Sequence, residues 1–327
     1  MVVRPRRRGR ETLERVQVGA VTKTAAKSSM SDASIALEDA TTRKVAAPLR
    51  SSFRSKLDLV VLLAPMALLI LAVFDLPLLN TAYWSIDDSK TGTLTTQFYR
   101  DFAQSNVYSH VIWRTLVVAL EVTIVTVLLG YPLAYWTTRL RPRLRMLVLG
   151  TVVMTFWVSI LVRTYAWIVI LGNGGLVNKT LLSLGLTTGP VEFLYNEIGI
   201  LIGMANVLLP FLVLPLYAAM IKVDGRLMQV AETLGASRTR IFWQIFFPQT
   251  LQALAASAIL IFILSLGFYI TPAVLGGGRF PLISNMMDLL INRFAQWEIA
   301  AVISVVLMTI TLSLYAVYQW LRERGQA

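Results

Sequence analysis

The sequence contains no cysteine and a single histidine among its 327 residues. The first absence excludes disulfide bonds, thiolate metal sites and cysteine nucleophiles. Because His110 is the single histidine, a histidine cluster around a metal ion is excluded as well. Charged residues are also scarce at 15% of the chain, whereas apolar residues make up 56%. A soluble domain of this length needs a larger polar surface, so the composition indicates a polytopic membrane protein.

The sequence also lacks the short motifs of nucleotide-binding and hydrolytic enzymes. It has no Gly-x4-Gly-Lys-[Ser/Thr] run to hold ATP phosphates, and neither Gly-x-Ser-x-Gly nor His-Glu-x-x-His occurs. The glycine groups at 173–175 and 276–278 lack the strand-to-helix context of a nucleotide site. We therefore expect a chain that is not an enzyme, has no catalytic residue, and binds no cofactor or metal by itself.

Residues 1–56 differ in composition from everything that follows. They hold 13 Lys and Arg residues and five acids, with many Ser, Thr and Ala residues. Such a segment cannot bury enough apolar surface to offset its ordering entropy. We expect a disordered cytoplasmic tail that is attracted to anionic membrane lipid rather than to nucleic acid. No short apolar run follows the basic stretch, which argues against a signal peptide.

Six apolar segments occupy the predicted membrane domain, residues 57–327. Each is close to the roughly twenty residues that a helix needs to cross the hydrocarbon core. The segments cover residues 58–82, 113–136, 146–171, 198–221, 251–272 and 298–320. A transmembrane β-barrel would instead show short stretches of alternating polarity. The prediction is an all-α polytopic membrane protein with six transmembrane helices, with kinks at Pro210, Pro215 and Gly267.

The distribution of basic residues predicts the orientation in the membrane. With the N-terminus in the cytoplasm, 23 Lys and Arg residues lie inside and six lie at the outer side. Cytoplasmic loops carry such an excess as a rule. The short loops alone favour the same orientation, because 139–145 and 222–248 carry four basic residues each. Both termini are therefore predicted to be cytoplasmic.

One cytoplasmic loop, residues 222–250, is longer than a turn requires. It reads as a helical stretch from Gly225, a break at Gly235 and a second helical stretch that ends at Pro248. Glycine permits the chain to bend sharply between two short helices. A short projecting helix suits insertion into a cleft on a soluble partner. An ordinary interhelical loop is the alternative that the residues alone leave open.

The same loop resembles the EAA loop, the signature of ABC importer permeases. That pattern has Glu-Ala-Ala, three residues, Gly, nine residues and then Ile-x-Leu-Pro. Here Gly235 is followed after nine residues by the stretch from Ile245 to Pro248. The usual Leu-Gly-Ala-Ser core is matched by Leu234, Gly235, Ala236 and Ser237.

The front of the loop departs from the family pattern. Gln229, Val230 and Ala231 stand where the family has Glu-Ala-Ala, and Glu232 lies about one helical turn away. In the family this loop docks on the ATPase subunit as a coupling helix. Because a charged contact at a solvent edge contributes about 0–1 kcal/mol, we expect docking through the apolar face to persist.

The resemblance extends over most of residues 58–324 and favours the spermidine/putrescine-type subgroup. Residues 163–178, residues 267–278 and the amphipathic run 283–297 are similar to that subgroup. The resemblance implies the type I importer permease fold, a second permease subunit in a heterodimer, an ABC ATPase dimer that uses ATP and Mg, and a periplasmic solute-binding protein. The implied cargo is a polyamine. An opine, another amine, ferric iron or an anion is the alternative.

Three ionisable residues lie within predicted spans: Asp75, Glu121 and Arg163. Each costs at least ~2.5 kcal/mol near the bilayer centre, so each needs a partner or a wet cavity. Glu121 is eight residues from the outer end of its span at Trp113, and Arg163 is eight residues from the outer end at Leu171. We hypothesise a Glu121–Arg163 ion pair, with Asp75 as the competing partner.

These charges have two interpretations. They hold helices in register, or Asp75 or Glu121 faces a translocation path and helps a cationic cargo to pass. Aromatic rings suit a polyamine through cation–π attraction. The candidate aromatic residues are Tyr165, Trp167, Tyr269 and Trp157. Packing or anchoring at the membrane interface is the alternative for each of them.

Two other classes of protein compete with an ABC importer permease. A stand-alone secondary transporter predicts internal repeats with interrupted helices, and no clear repeat relates residues 58–171 to 198–320. An intramembrane enzyme needs paired acids or a Ser/His arrangement within the spans, which the single histidine and scattered acids do not supply.

Overall fold

The computed structural model describes residues 52–88 and 91–324, and nearly all of them are helical. The chain divides into two compact units at Asp75. Residues 1–51 of the predicted tail lie outside the described residues. The predicted domain boundary at 57 falls inside a helix, because the first helix already begins at Ser52.

In the first unit, helix α1 (Ser52–Ile70) is followed by a π-helical turn, Leu71–Asp75. All side chains described here, from Val61 to Asp75, are exposed within this chain. An apolar stretch whose described side chains, from Val61 to Asp75, are exposed suits a surface that faces lipid or another subunit.

The second unit begins with a short helix and a hairpin and continues as a helical bundle. Its helices are α2 (Leu76–Trp84), α3 (Gln97–Gln104), α4 (Asn106–Arg139), α5 (Pro142–Trp157), α6 (Ile160–Leu171), α7 (Leu176–Ser183), α8 (Glu197–Met220), α9 (Gly225–Thr233), α10 (Arg238–Ile241), α11 (Phe247–Leu266), α12 (Ile270–Leu275), α13 (Ile283–Asn292) and α14 (Trp297–Arg324). A π-helical turn, Phe242–Phe246, joins α10 to α11. Between α2 and α3, β1 (Asp87–Asp88) pairs antiparallel with β2 (Thr93–Leu94), with Asp87 opposite Leu94.

Six stretches within the described residues are long and apolar enough to cross a membrane. They are Val61–Trp84, Asn106–Arg139, Ile160–Ser183, Glu197–Met220, Arg238–Leu266 and Trp297–Ala316. The predicted number of spans is therefore confirmed. Three spans differ from the prediction. The second begins at Asn106 instead of 113, and residues 146–171 are broken at 158–159 instead of forming one helix. The fifth span begins at Arg238 and ends at Leu266 instead of covering 251–272.

The main core forms where α4, α8 and α11 pack against one another. Its centre is fully buried and apolar, and includes Val122, Met204, Leu208, Leu212 and Ile261. The buried threonines of α4 stay compatible with this environment because their hydroxyls donate to carbonyls of the preceding turn. The residues are Thr115, Thr123, Thr126 and Thr137, with O···O distances of 2.6–2.7 Å.

A smaller core forms where α13 packs between α4 and α14. Val111, Ile283, Leu290 and Ile303 are buried in it. The N–H of Ile283 donates to Thr115 Oγ1 at 2.9 Å, which ties the start of α13 to α4. The amphipathic segment expected over 283–297 is thus a short helix that ends before α14.

Candidate functional site

Helix α9 is a short helix that is capped at both ends. At its start, the Asp224 carboxylate accepts a hydrogen bond from the N–H of Arg226 at 2.9 Å. At its end, Gly235 N–H donates to Glu232 O at 3.0 Å and Ala236 N–H donates to Ala231 O at 3.0 Å. Gly235 has a φ of +82°, so the helix ends in a Schellman motif with glycine in the left-handed position. The predicted break at Gly235 is present.

One face of α9 is apolar and points away from the rest of the chain. Leu227, Val230 and Leu234 lie at positions i, i+3 and i+7, and 49%, 57% and 82% of their surfaces are exposed. Along one flank of this stripe Ala231 is buried and Met228 packs against the main core. The helix is therefore anchored on one side and free to contact a partner on the other.

The second half of the loop does not end at Pro248, as the sequence suggested. The Ser237 hydroxyl caps α10 by accepting from Arg240 N–H at 3.4 Å, and the helix then continues through the π-helical turn into α11. Pro248 lies just after the π-helical turn, and the helix continues through both features. Ile245 is half-buried and Pro248 is exposed. The loop is thus continuous with a membrane span.

An aromatic cluster joins this loop to the inner end of α4. The Tyr135 ring lies 5.1 Å from the Phe242 ring and 5.2 Å from the Phe246 ring, both edge to face. Tyr131 contacts Phe242 and Phe247, and its hydroxyl lies 3.0 Å from Thr250 Oγ1. Sequence reasoning missed this cluster, although the run of aromatic residues at 242–247 was a visible signal. These rings connect the π-helical turn and the start of α11 to α4.

Arg163 does not pair with Glu121, so the hypothesis of an ion pair between them is wrong. The Arg163 guanidinium instead donates to the carbonyl oxygens of Thr155 and Val158, the second at 3.0 Å. These carbonyls lie at the break between α5 and α6, where they have no partner within a helix. Arg163 therefore stabilises an interrupted helix rather than neutralising a carboxylate.

Glu121 faces a second acid rather than a base. Its Oε2 atom is buried and has no hydrogen-bond partner among the described residues, and its charged neighbour is Glu197. The Glu197 carboxylate lies 3.9 Å from Arg114 Nη2, and the Arg114 guanidinium lies 4.1 Å from the centre of the Phe280 ring. Sequence reasoning missed Glu197 and Arg114 as partners because both lie at span ends, where charged residues are common and do not indicate an ion pair.

The other candidate residues have separate surroundings. Trp167 Nε1 donates to Asn206 Oδ1 at 3.4 Å, which links α6 to α8. Tyr269 donates its hydroxyl to Asp288, and this hydrogen bond raises the pKa of the Tyr269 hydroxyl. The other candidates, Asp75, Tyr165 and Trp157, are exposed. In the part of the chain that the structure describes, no three His, Asp or Glu side chains gather so as to hold a metal ion.

Comparison with known proteins gives a consistent result. The family model "Binding-protein-dependent transport system inner membrane component" matches residues 126–324. The chain is 34% identical over 214 residues to the spermidine/putrescine transport system permease protein PotB of Haemophilus influenzae, covering 65% of this chain and 74% of that protein. It is 30% identical over 274 residues to PotB of Salmonella typhimurium, covering 83% and 95%.

Solved structures share the fold. One is a bacterial alginate ABC transporter in complex with alginate pentasaccharide-bound periplasmic protein. Its matching chain gives a TM-score of 0.63 at 18% identity and covers 81% of this chain and 93% of that one.

Proposed function

Because the chain belongs to the family of binding-protein-dependent transport system inner membrane components, we propose that α9 is the coupling helix on which a separate ABC ATPase acts. The chain is a multi-pass permease subunit of an ABC importer in the bacterial inner membrane, and a transport subunit rather than an enzyme. The predicted type I importer permease fold is confirmed by the six spans and by the likeness to solved importer permeases.

The observation that carries the proposal is the exposed apolar stripe of α9. Leu234 is 82% exposed at the end of a helix whose geometry is held by two caps. Such exposure on a projecting helix favours insertion into an apolar cleft of a partner protein. Position 229 is Gln where the family pattern has Glu. One charged contact is therefore lost, while the apolar stripe is unchanged.

The route from the ATPase to the membrane follows from the contacts of α9. When ATP closes a dimer of ATPase subunits, α9 moves with the surface on which it docks. Met228 and the aromatic cluster around Phe242 transmit that movement to α4 and α11, which form the main core with α8. ATP and Mg bind to the ATPase, and this chain supplies only the helix, α9, on which the ATPase acts.

The full importer contains two further proteins in this proposal. A second permease subunit completes the pathway as a heterodimer with this chain, and a periplasmic solute-binding protein delivers the cargo. The solved alginate transporter with its cargo-loaded periplasmic protein supports this arrangement, as does the name of the matching family.

The proposed cargo is a polyamine of the spermidine or putrescine type. The support is the similarity to PotB proteins over as much as 83% of the chain. The test is ATP-driven uptake of radiolabelled putrescine and spermidine by the importer reconstituted in liposomes. Uptake of an opine, another amine or ferric iron in their place would refute the polyamine proposal and leave the coupling proposal standing.

A further inference from the structure

A cavity of about 280 Å³ lies where the inner end of α4 meets α9, α10 and the π-helical turn that follows α10. Its volume is close to the lower end of the range of about 300–1,000 Å³ that is typical of small-molecule sites. The residues of the exposed apolar stripe of α9 do not line it, so the cavity is separate from the proposed docking surface for the ATPase. The lining includes Tyr135 and Arg139 of α4, Met228 and Glu232 of α9, and Arg238 and Ile241 of α10.

The aromatic cluster holds one guanidinium group at this cavity, that of Arg139. It lies over the Tyr135 ring, 4.4 Å from the ring centre, and one of its terminal nitrogens donates to the Tyr135 hydroxyl. The Tyr135 ring is itself held by its edge-to-face contacts with Phe242 and Phe246. Because a guanidinium has five N–H donors, most of them remain for a ligand after this contact.

A second guanidinium, that of Arg238, lines the same cavity from the start of α10. Its side chain is exposed, and within residues 52–88 and 91–324 it has no hydrogen-bond or ion-pair partner. The cavity also contains the Glu232 carboxylate, which forms no ion pair with either arginine in the described part of the chain. Two positive charges therefore stand against one negative charge, and no direct contact neutralises them. This balance favours an anionic ligand.

Both arginines lie at the ends of membrane spans. Arg139 is the last residue of the second span, and Arg238 is the first residue of the fifth. The charge-based orientation places both ends at the cytoplasmic side. Trp136 and Trp243 lie near these ends and expose 55% and 58% of their surfaces, as is typical of tryptophans at a membrane interface. The cavity is therefore at the depth of the headgroups of the inner leaflet.

We propose that this cavity is a phosphate-binding site, in which Arg139 and Arg238 hold the anion between α4 and α10. The planar guanidinium matches the geometry of phosphate oxygens, and a phosphate between two of them receives charge-assisted hydrogen bonds from both. The site goes beyond the proposed function, since it requires neither an ATPase nor a cargo. Two sources carry the same chemistry: the phosphodiester of an anionic lipid in the inner leaflet, and a soluble phosphate from the cytoplasm.

A phosphate in this position restrains the loop 222–250. It joins the end of α4 to the start of α10, two segments that the aromatic cluster already brings together. Local opening of the backbone at α10 then requires loss of the anion as well as of the packing. Hydrogen exchange of the amides at 238–243 therefore reports directly on occupancy of the site.

The test follows this exchange in the full chain in detergent. Dioleoyl phosphatidylglycerol and inorganic phosphate are titrated separately, and at least one of them is expected to slow exchange saturably. Dioleoylglycerol, which has the same acyl chains without the phosphate, and sodium chloride at matched ionic strength are the controls and should leave exchange unchanged. Failure of both phosphate compounds to slow exchange, or equal slowing by their controls, overturns the proposal.

The same titrations distinguish the two sources. If phosphatidylglycerol slows exchange and inorganic phosphate does not, the ligand is a lipid headgroup. If inorganic phosphate slows exchange, the site accepts a soluble phosphate. Either result supports a phosphate site.

Charge variants test whether the two lining arginines hold the phosphate. Arg139→Gln with Arg238→Gln is expected to weaken binding about tenfold or more, because two sets of charge-assisted contacts are lost. The matched control is Arg141→Gln with Arg143→Gln, which removes two exposed arginines near the start of α5 that do not line the cavity. Equal weakening in the control would attribute binding to general surface charge and overturn the proposal.

Glu232→Gln tests the site in the opposite direction. This change removes the carboxylate of the lining and is expected to tighten phosphate binding several-fold, because a like charge no longer faces the anion. Glu232 is exposed and has no ion-pair partner among the described residues, so the variant should fold, and thermal unfolding without ligand checks this for every variant. Unchanged or weaker binding by Glu232→Gln would contradict an anion in this cavity.

Discussion

The backbone N–H of Ala236 donates to the carbonyl oxygen of Ala231 at 3.0 Å and closes the end of α9. This bond requires the intervening Gly235 to adopt a φ of +82°. The glycine of the signature loop therefore has a conformational role: it ends α9 so that Leu234 projects from its tip.

Gly235→Ala is expected to loosen the end of α9. The space around Gly235 is open, so the cost is conformational, about 1–2 kcal/mol for a left-handed alanine. Hydrogen exchange of the α9 amides should then be about tenfold faster. Gly235→Asn should cost less, because asparagine tolerates this conformation. Gly225→Ala is the control, since Gly225 has open space and no positive φ; an equal effect there would contradict the explanation.

Gly277 and Gly278 provide a matched pair that separates strain from a clash. Both have positive φ, but a Cβ on Gly277 would lie 2.3 Å from Cδ1 of Tyr195, whereas a Cβ on Gly278 meets open space. Thermal unfolding should show a clearly larger loss of stability for Gly277→Ala than for Gly278→Ala. Equal losses would mean that the Tyr195 ring moves aside freely.

Arg163→Met is expected to destabilise the membrane domain. It leaves the half-buried Thr155 carbonyl and the exposed Val158 carbonyl without this donor, and the loss of a typical hydrogen bond costs about 0.5–1.5 kcal/mol. The unfolding temperature of Arg163→Lys should lie between those of the wild type and Arg163→Met, because an ammonium group lacks the fork geometry of a guanidinium. Tyr165→Phe, a change on the same helix at an exposed ring, is the control. A wild-type unfolding temperature for Arg163→Met would contradict this role.

Double-mutant cycles distinguish the Arg114–Glu197 contact seen in the structure from the Glu121–Arg163 ion pair that the sequence suggested. Arg114→Met with Glu197→Gln should show a coupling energy of about 0.2–1 kcal/mol, as for a partly exposed ion pair. Arg163→Met with Glu121→Gln should show coupling near zero, because those side chains do not pair. A larger coupling in the second cycle would restore the ion pair that the sequence suggested.

The features that the sequence predicted well depend on local pattern. Each membrane span is a continuous apolar run, and length alone decides whether a helix can cross the bilayer. The break at Gly235 follows from a residue that tolerates a conformation closed to most others. The boundary at Pro248 was wrong because a π-helical turn, Phe242–Phe246, lies just before the proline, and the helix continues past it.

The features that the sequence did not predict depend on where helices meet. Residue spacing gives the depth of Glu121 and Arg163 in the membrane, but not the direction in which each faces. Arg163 donates to backbone carbonyls next to a helix break at 158–159. This break contains neither glycine nor proline, so the sequence offered no sign of it. The contact of Arg114 with Glu197 and Phe280 joins three distant segments, so it exists only once the bundle is packed.

The most direct test of the coupling proposal is binding of an ABC ATPase to the full chain in nanodiscs, measured for wild type, Leu234→Asp and Gln229→Glu. Leu234 is 82% exposed, so its replacement should leave folding intact while placing a charge in the apolar cleft of the ATPase. We expect wild type and Gln229→Glu to bind alike and Leu234→Asp to bind about tenfold more weakly, a loss of roughly 1.4 kcal/mol. Undiminished binding by Leu234→Asp, or no binding of the ATPase by the wild type, would contradict the proposal that α9 is the coupling helix.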